Sequence, residues 1–152
     1  MTNKQILECA KLFHKYSIRL RTENMLALPY ETFADVLSTL ELNMRCKPDI
    51  AWASLYTPYP GTELGDYCQK AGLLDKQVTS IQADFFTNSV LNLKDKKRIE
   101  RLQKLFSLFC ACPSLYEWIK PLAWMLTSLP FTYRRVYNKV KQYLYDRRLF
   151  KI

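Results

Sequence analysis

The residue types able to do covalent or metal chemistry are few in this chain. Its cysteines are Cys9, Cys46, Cys68, Cys110 and Cys112. Thiolates ligate zinc and iron–sulfur clusters in spaced sets, such as paired C-x-x-C units. Only Cys110-Ala-Cys112 is close-set, and no C-x-x-C occurs. Those two fall on a predicted helix and read as half-buried helix residues. The odd number, with no secretion signal, argues against a disulfide framework. The lone histidine, His14, reads as a surface or hydrogen-bonded side chain. No catalytic residue and no metal ligand is assigned. Two segments carry stronger signals. Leu55-Tyr-Thr-Pro-Tyr-Pro-Gly-Thr-Glu-Leu64 and Asn24-Met-Leu-Ala-Leu-Pro-Tyr-Glu-Thr32 each join an apolar run to a helical pattern. In α/β sheets, ligands sit outside the carboxyl ends of strands, where both segments fall. On the residues alone, a structural strand-to-helix turn is the better reading of each.

The elements that position these loops follow from periodicity. Ile6, Leu7, Ala10, Leu12 and Phe13 predict a helix over residues 3–16, capped by Asn3. Ile18–Leu26 reads as a strand, stopped by Pro29. Phe33, Val36, Leu37, Leu40 and Met44 mark the inner face of a helix from Glu31 to about Arg45. Ile50–Leu55 is short and continuously apolar, as in a strand buried on both faces with Trp52 in the core. Tyr56–Thr62 is a loop, with Thr62 capping a short helix from Glu63 to Ala71 that Gly72 closes. Residues 75–93 read as a connector. Residues 94–111 form a basic amphipathic helix with Ile99, Leu102, Leu105, Phe106 and Phe109 on one side. Pro113 opens another helix to about Leu129, and Pro130 a last one to about Phe150. The α-β-α-β-α order implies parallel strands joined by crossovers. Two such strands make a poor free-standing sheet, so this half reads as a piece of something larger.

Composition narrows the class. The chain has 152 residues, 49% hydrophobic, 24% charged and 14% aromatic, with three glycines. This excludes a disordered or collagen-like chain and favours helices. No run of about 18 apolar residues predicts a membrane span. The amino-terminus lacks a signal peptide's apolar core, so the expected location is cytoplasmic. Residues 1–93 carry 9 Lys+Arg against 10 Asp+Glu, whereas residues 94–152 carry 14 against 4. A basic, aromatic carboxyl-terminal third suits an acidic face of its own protein, an anionic membrane surface or nucleic acid. No nucleic-acid reader motif accompanies it.

Asn24, Met25, Leu28, Pro29, Glu31 and Thr32, then Pro58, Tyr59, Pro60, Gly61, Thr62, Leu64, Ala71, Gly72, Leu73 and Leu74 carry a family resemblance. Together they resemble the last part of the radical S-adenosylmethionine barrel, in the branch with an amino-terminal cobalamin-binding domain. There one strand ends in N-M-x-G-L-P-G-E-T and the next in P-Y-P-G-T-x-L. The resemblance implies an α/β fold: terminal βα units of a partial (β/α) TIM-like barrel over residues 1–74, followed by a helical carboxyl-terminal extension over residues 94–152. It implies a four-iron four-sulfur cluster held by C-x3-C-x2-C, S-adenosylmethionine and cobalamin in the intact protein, with radical methylation or cyclisation as the reaction class. This chain has no such cysteine triplet, so it is expected to be inactive alone and to bind none of these groups by itself. The resemblance places Leu28, Pro29 and Glu31 on the cofactor side and Tyr56, Tyr59 and Gly61 at the mouth of the substrate cleft. The family's glycines flanking Leu28-Pro29 are Ala27 and Tyr30 here; glycine at such places permits unusual dihedrals or close backbone approach. The expected partner is the rest of the barrel, on the same or a separate polypeptide, with peripheral membrane contact through the tail. The alternative is a stand-alone basic helical adaptor for an anionic membrane or a partner protein.

Overall fold

A computed structural model describes residues 1–74 and 88–119. The predicted Pro130–Phe150 helix and most of the connector lie outside the described residues. The elements are α1 (Asn3–Lys15), β1 (Arg21–Leu26), α2 (Phe33–Cys46), β2 (Ile50–Leu55), α3 (Glu63–Lys70), α4 (Lys96–Ala111) and α5 (Pro113–Ile119). The described architecture is mixed α/β, five helices in all on described residues, with one two-stranded parallel sheet.

Local chemistry sets the boundaries. The cap of α1 is Thr2, one residue before the expected Asn3. Its hydroxyl accepts from the Gln5 N–H while the Gln5 side chain accepts from the Thr2 N–H, a reciprocal capping box that Asn3 lacks. Thr32 and Asp35 repeat the device at α2. The strand begins at Arg21, not Ile18. Ser17 adopts φ 56° and the Ile18 N–H closes back on the Phe13 carbonyl, so this stretch ends the helix before the chain extends. Gly72, at φ 66°, ends α3 as expected: the Leu73 N–H donates to the Cys68 carbonyl at 3.0 Å and the Gly72 N–H to that of Gln69 at 3.1 Å.

The strands pair in register from Arg21 opposite Ile50 to Leu26 opposite Leu55. The face bearing Leu26, Ala51, Ala53 and Leu55 is buried together with Val36 and Leu40 of α2 and Ile99, Leu102 and Phe106 of α4. Burying a side chain such as Phe106 contributes about 1.5–3 kcal/mol. The other face carries Arg21, Glu23, Met25 and Trp52, all exposed, beside Ile50 and Ser54. The expectation that β2 is buried on both faces, with Trp52 in the core, is therefore corrected. Trp52 is 42% exposed, and the Arg21 guanidinium lies 5.3 Å from its ring centroid. Apolar residues in that run are continuous, but the described helices pack on one side only.

The amphipathic helix after the connector forms as expected, and the side chain of Arg98 on α4 lies over the Phe33 ring at 4.1 Å. Buried Gln103 sits among its apolar residues and donates to the Ala53 carbonyl at 2.8 Å. By contrast, α1 fully buries only Ala10, and Leu12 remains 54% exposed. No helix among the described residues is long and apolar enough to cross a membrane.

Candidate functional site

Both loops singled out by their residues leave the carboxyl end of the sheet. Ala27 and Tyr30 flank Leu28-Pro29 and both adopt left-handed backbone, at φ 64° and 62°. For a residue with a Cβ this conformation costs on the order of 1–2 kcal/mol, so the surroundings must hold it. Two bonds do so: the Glu31 carboxylate accepts the Leu28 N–H at 3.1 Å, and the Glu31 N–H donates to the Leu28 carbonyl at 3.0 Å. Burial pushes the Glu31 carboxyl above its ordinary range, and the backbone donors oppose that rise. Leu28, Pro29 and Glu31 thus share one tight turn. Asn24, at the start of the motif, exchanges amide hydrogen bonds with buried Asn43 of α2 at 2.8 and 3.2 Å. It therefore ties strand to helix.

In the second loop the Tyr56 N–H extends the ladder to the Leu26 carbonyl at 2.7 Å. Tyr56 is only 8% exposed and lies beside Cys68; burial first, then the thiol, raises its hydroxyl's pKa. Tyr59 and Gly61 are exposed, so the three residues assigned to the cleft mouth sit at different depths. Gly61, at φ 80°, donates its N–H to the Asp66 carboxylate at 3.1 Å. Thr62 caps α3 as expected: its hydroxyl accepts from the Gly65 N–H at 3.1 Å and donates to the Tyr59 carbonyl at 2.7 Å.

The first loop meets α3 through Tyr30, which stands at one of the motif's glycine positions, and Tyr67, which no motif singled out. The hydroxyls of Tyr30 and Tyr67 lie 3.2 Å apart, with the rings edge to face at 6.4 Å. Gly65 was also missed. A Cβ there would run into the Tyr59 carbonyl oxygen and come within 2.7 Å of the Thr62 hydroxyl. Its only sequence signal is a glycine inside a helix, where glycine is normally unfavourable.

The cysteines do not fit an iron–sulfur cluster. The C-x3-C-x2-C triplet is missing from the sequence. Among the described residues no group of three His, Cys, Asp or Glu side chains is placed to hold a metal. Cys110 is buried, and desolvation, with Cys46 nearby, pushes its thiol up to about 12, which keeps it protonated at neutral pH. Cys112 caps the end of α4. His14 Nε2 lies 2.8 Å from the Cys46 carbonyl, a hydrogen bond tying α1 to the end of α2. No protein-family model matches the chain, and neither the curated proteins nor the solved structures give a significant match.

Proposed function

We propose that the chain supplies the terminal βα units of a radical S-adenosylmethionine barrel of the cobalamin-binding branch, and is not catalytic alone. Its part is to place two loops at the carboxyl end of the sheet, with Leu28, Pro29 and Glu31 on the cofactor side and Tyr56, Tyr59 and Gly61 toward the substrate. The observation that carries this reading is the backbone at Ala27 and Tyr30. Both are left-handed at the two positions where the N-M-x-G-L-P-G-E-T pattern has glycine. A chance likeness of letters has no reason to reproduce a pair of conformations that side chains disfavour.

The packing supports the same reading. Among the described residues, a parallel pair with one face uncovered and a helix that fully buries a single residue lack neighbours that a barrel would provide. The remaining barrel, on the same or another polypeptide, would bring the cluster cysteines.

The test is the reading frame immediately upstream of the codon for residue 1. A continuous frame encoding C-x3-C-x2-C establishes the chain as the end of a radical enzyme. A stop codon followed by a dedicated ribosome-binding site, with no partner gene carrying that triplet alongside, removes the proposal and leaves the adaptor reading.

A further inference from the structure

The two edges of the sheet are not equivalent. The Ile50 N–H meets the Leu20 carbonyl at 3.3 Å and the Tyr56 N–H meets that of Leu26 at 2.7 Å. Backbone groups alternate sides along a strand. Those of Thr22, Asn24 and Leu26 therefore face β2, and those of Arg21, Glu23 and Met25 face outward. On β2, the Ala53 groups face away from β1, and the outward carbonyl of Ala53 is the one that Gln103 takes. On that edge α4 takes one carbonyl. On β1, no hydrogen bond among the described residues reaches the outward groups of Arg21, Glu23 or Met25. The side chains of Arg21 and Glu23 are 53% and 68% exposed, and Met25 is 52% exposed. No proline or bulge interrupts this strand, and its two charges, Arg21 and Glu23, are of opposite sign.

We infer that the β1 edge is a self-association surface, at which two copies of the chain pair their β1 strands antiparallel about a two-fold axis through Thr22. Two identical edges related by a two-fold axis must run antiparallel. Centring on Thr22 makes Arg21 and Glu23 of one copy directly opposite Glu23 and Arg21 of the other, each such pair exchanging both backbone bonds. Opposite charges across a ladder are favourable and like charges are not. Shifting the pairing two residues one way sets Glu23 against Glu23, and the other way Arg21 against Arg21. Charge thus selects one register. The Arg21–Glu23 contact within one chain, at 2.9 Å, is solvent-exposed and weak, so exchanging it across the axis costs little beyond the exposed Arg21–Trp52 ring contact. The barrel reading would seat a preceding strand on this same edge, so the two readings compete for it, and the test is made on the purified chain of 152 residues.

The experiment is sedimentation velocity on the purified chain and on the charge variants Arg21→Glu and Glu23→Arg, each checked for native circular dichroism. The wild type is expected to be a dimer. Each single variant sets like charges opposite at both symmetric positions and should self-associate about tenfold more weakly or worse. Mixing the two variants should restore a heterodimer, because every cross-axis pair is then again Arg with Glu. An effect confined to the intrachain ion pair cannot give that rescue. A monomeric wild type up to sub-millimolar concentration overturns the proposal. So do single variants that dimerise like the wild type, a mixture that stays monomeric, or wild-type assembly through another surface.

Discussion

The left-handed backbone at residue 27 makes a prediction about two substitutions of opposite kind. Ala27 is fully buried and has φ 64°. Glycine there removes on the order of 1–2 kcal/mol of left-handed strain. It also adds about 0.5–1 kcal/mol of unfolded-chain entropy and loses about 0.8 kcal/mol of methyl burial. These nearly cancel, so Ala27→Gly should lie within about 0.5 kcal/mol of wild type. Valine does the reverse. A β-branched side chain resists the left-handed region more than alanine does, and two further methyl groups in a filled site cost about 1–3 kcal/mol in overpacking. Ala27→Val should therefore be destabilised by about 2–4 kcal/mol. With a urea slope of about 2 kcal/mol per molar, the midpoints of the two variants should differ by about 1–2 M. Urea titration followed by far-ultraviolet circular dichroism measures this directly. Were the valine variant as stable as the glycine variant, residue 27 would not be left-handed. The observation carrying the proposed function would then be gone.

Tyr67→Phe removes the hydroxyl that meets Tyr30 but leaves the ring contact. It should cost under about 1 kcal/mol globally and speed amide exchange selectively at Tyr30 and Glu31, as read by hydrogen exchange. Gly65→Ala should destabilise by about 3 kcal/mol or more, visible as a lowered melting temperature, because its Cβ meets backbone at Tyr59. Two carboxyls give opposite pH dependences. Glu31, raised by burial, contributes stability that is full below its unfolded value of 4.5 and lost as pH rises through its folded value. Asp35, lowered by its Thr32 hydrogen bonds, contributes stability present above 3.8 and lost as pH falls through its folded value. Urea midpoints measured across the acid range should lose the first slope in Glu31→Gln and the second in Asp35→Asn. In native protein, maleimide labelling read by mass spectrometry should modify exposed Cys9 first and leave Cys110 unlabelled until urea is added.

Much of this architecture was legible in the residues. Helical spacing found the inner faces of α2 and α4, and Thr62 and Gly72 marked the ends of α3 because capping is local chemistry. The failures had nonlocal causes or came from competition between neighbours. Thr2 displaced Asn3 as a cap because Gln5 stands at the reciprocal position. The apolar run of β2 could not say that the described helices cover one face alone. The pairings Asn24 with Asn43 and Tyr30 with Tyr67 join residues far apart in the chain, and nothing in either local pattern announces them. At the loop after β1, the resemblance set glycines at positions 27 and 30, and the glycine-like dihedrals found there are ones that the alanine and tyrosine themselves do not announce.

The bond from Gln103 to Ala53 has a consequence for stoichiometry. A two-stranded sheet with both edges bare can add chains at each side without limit, the geometry of a fibril. With one edge carbonyl taken by a helix side chain, a strand arriving at that edge must displace Gln103, so pairing through β1 favours a closed dimer over a growing stack. A single buried amide thereby weighs toward a finite assembly. It does so from α4, outside the strands whose association it limits.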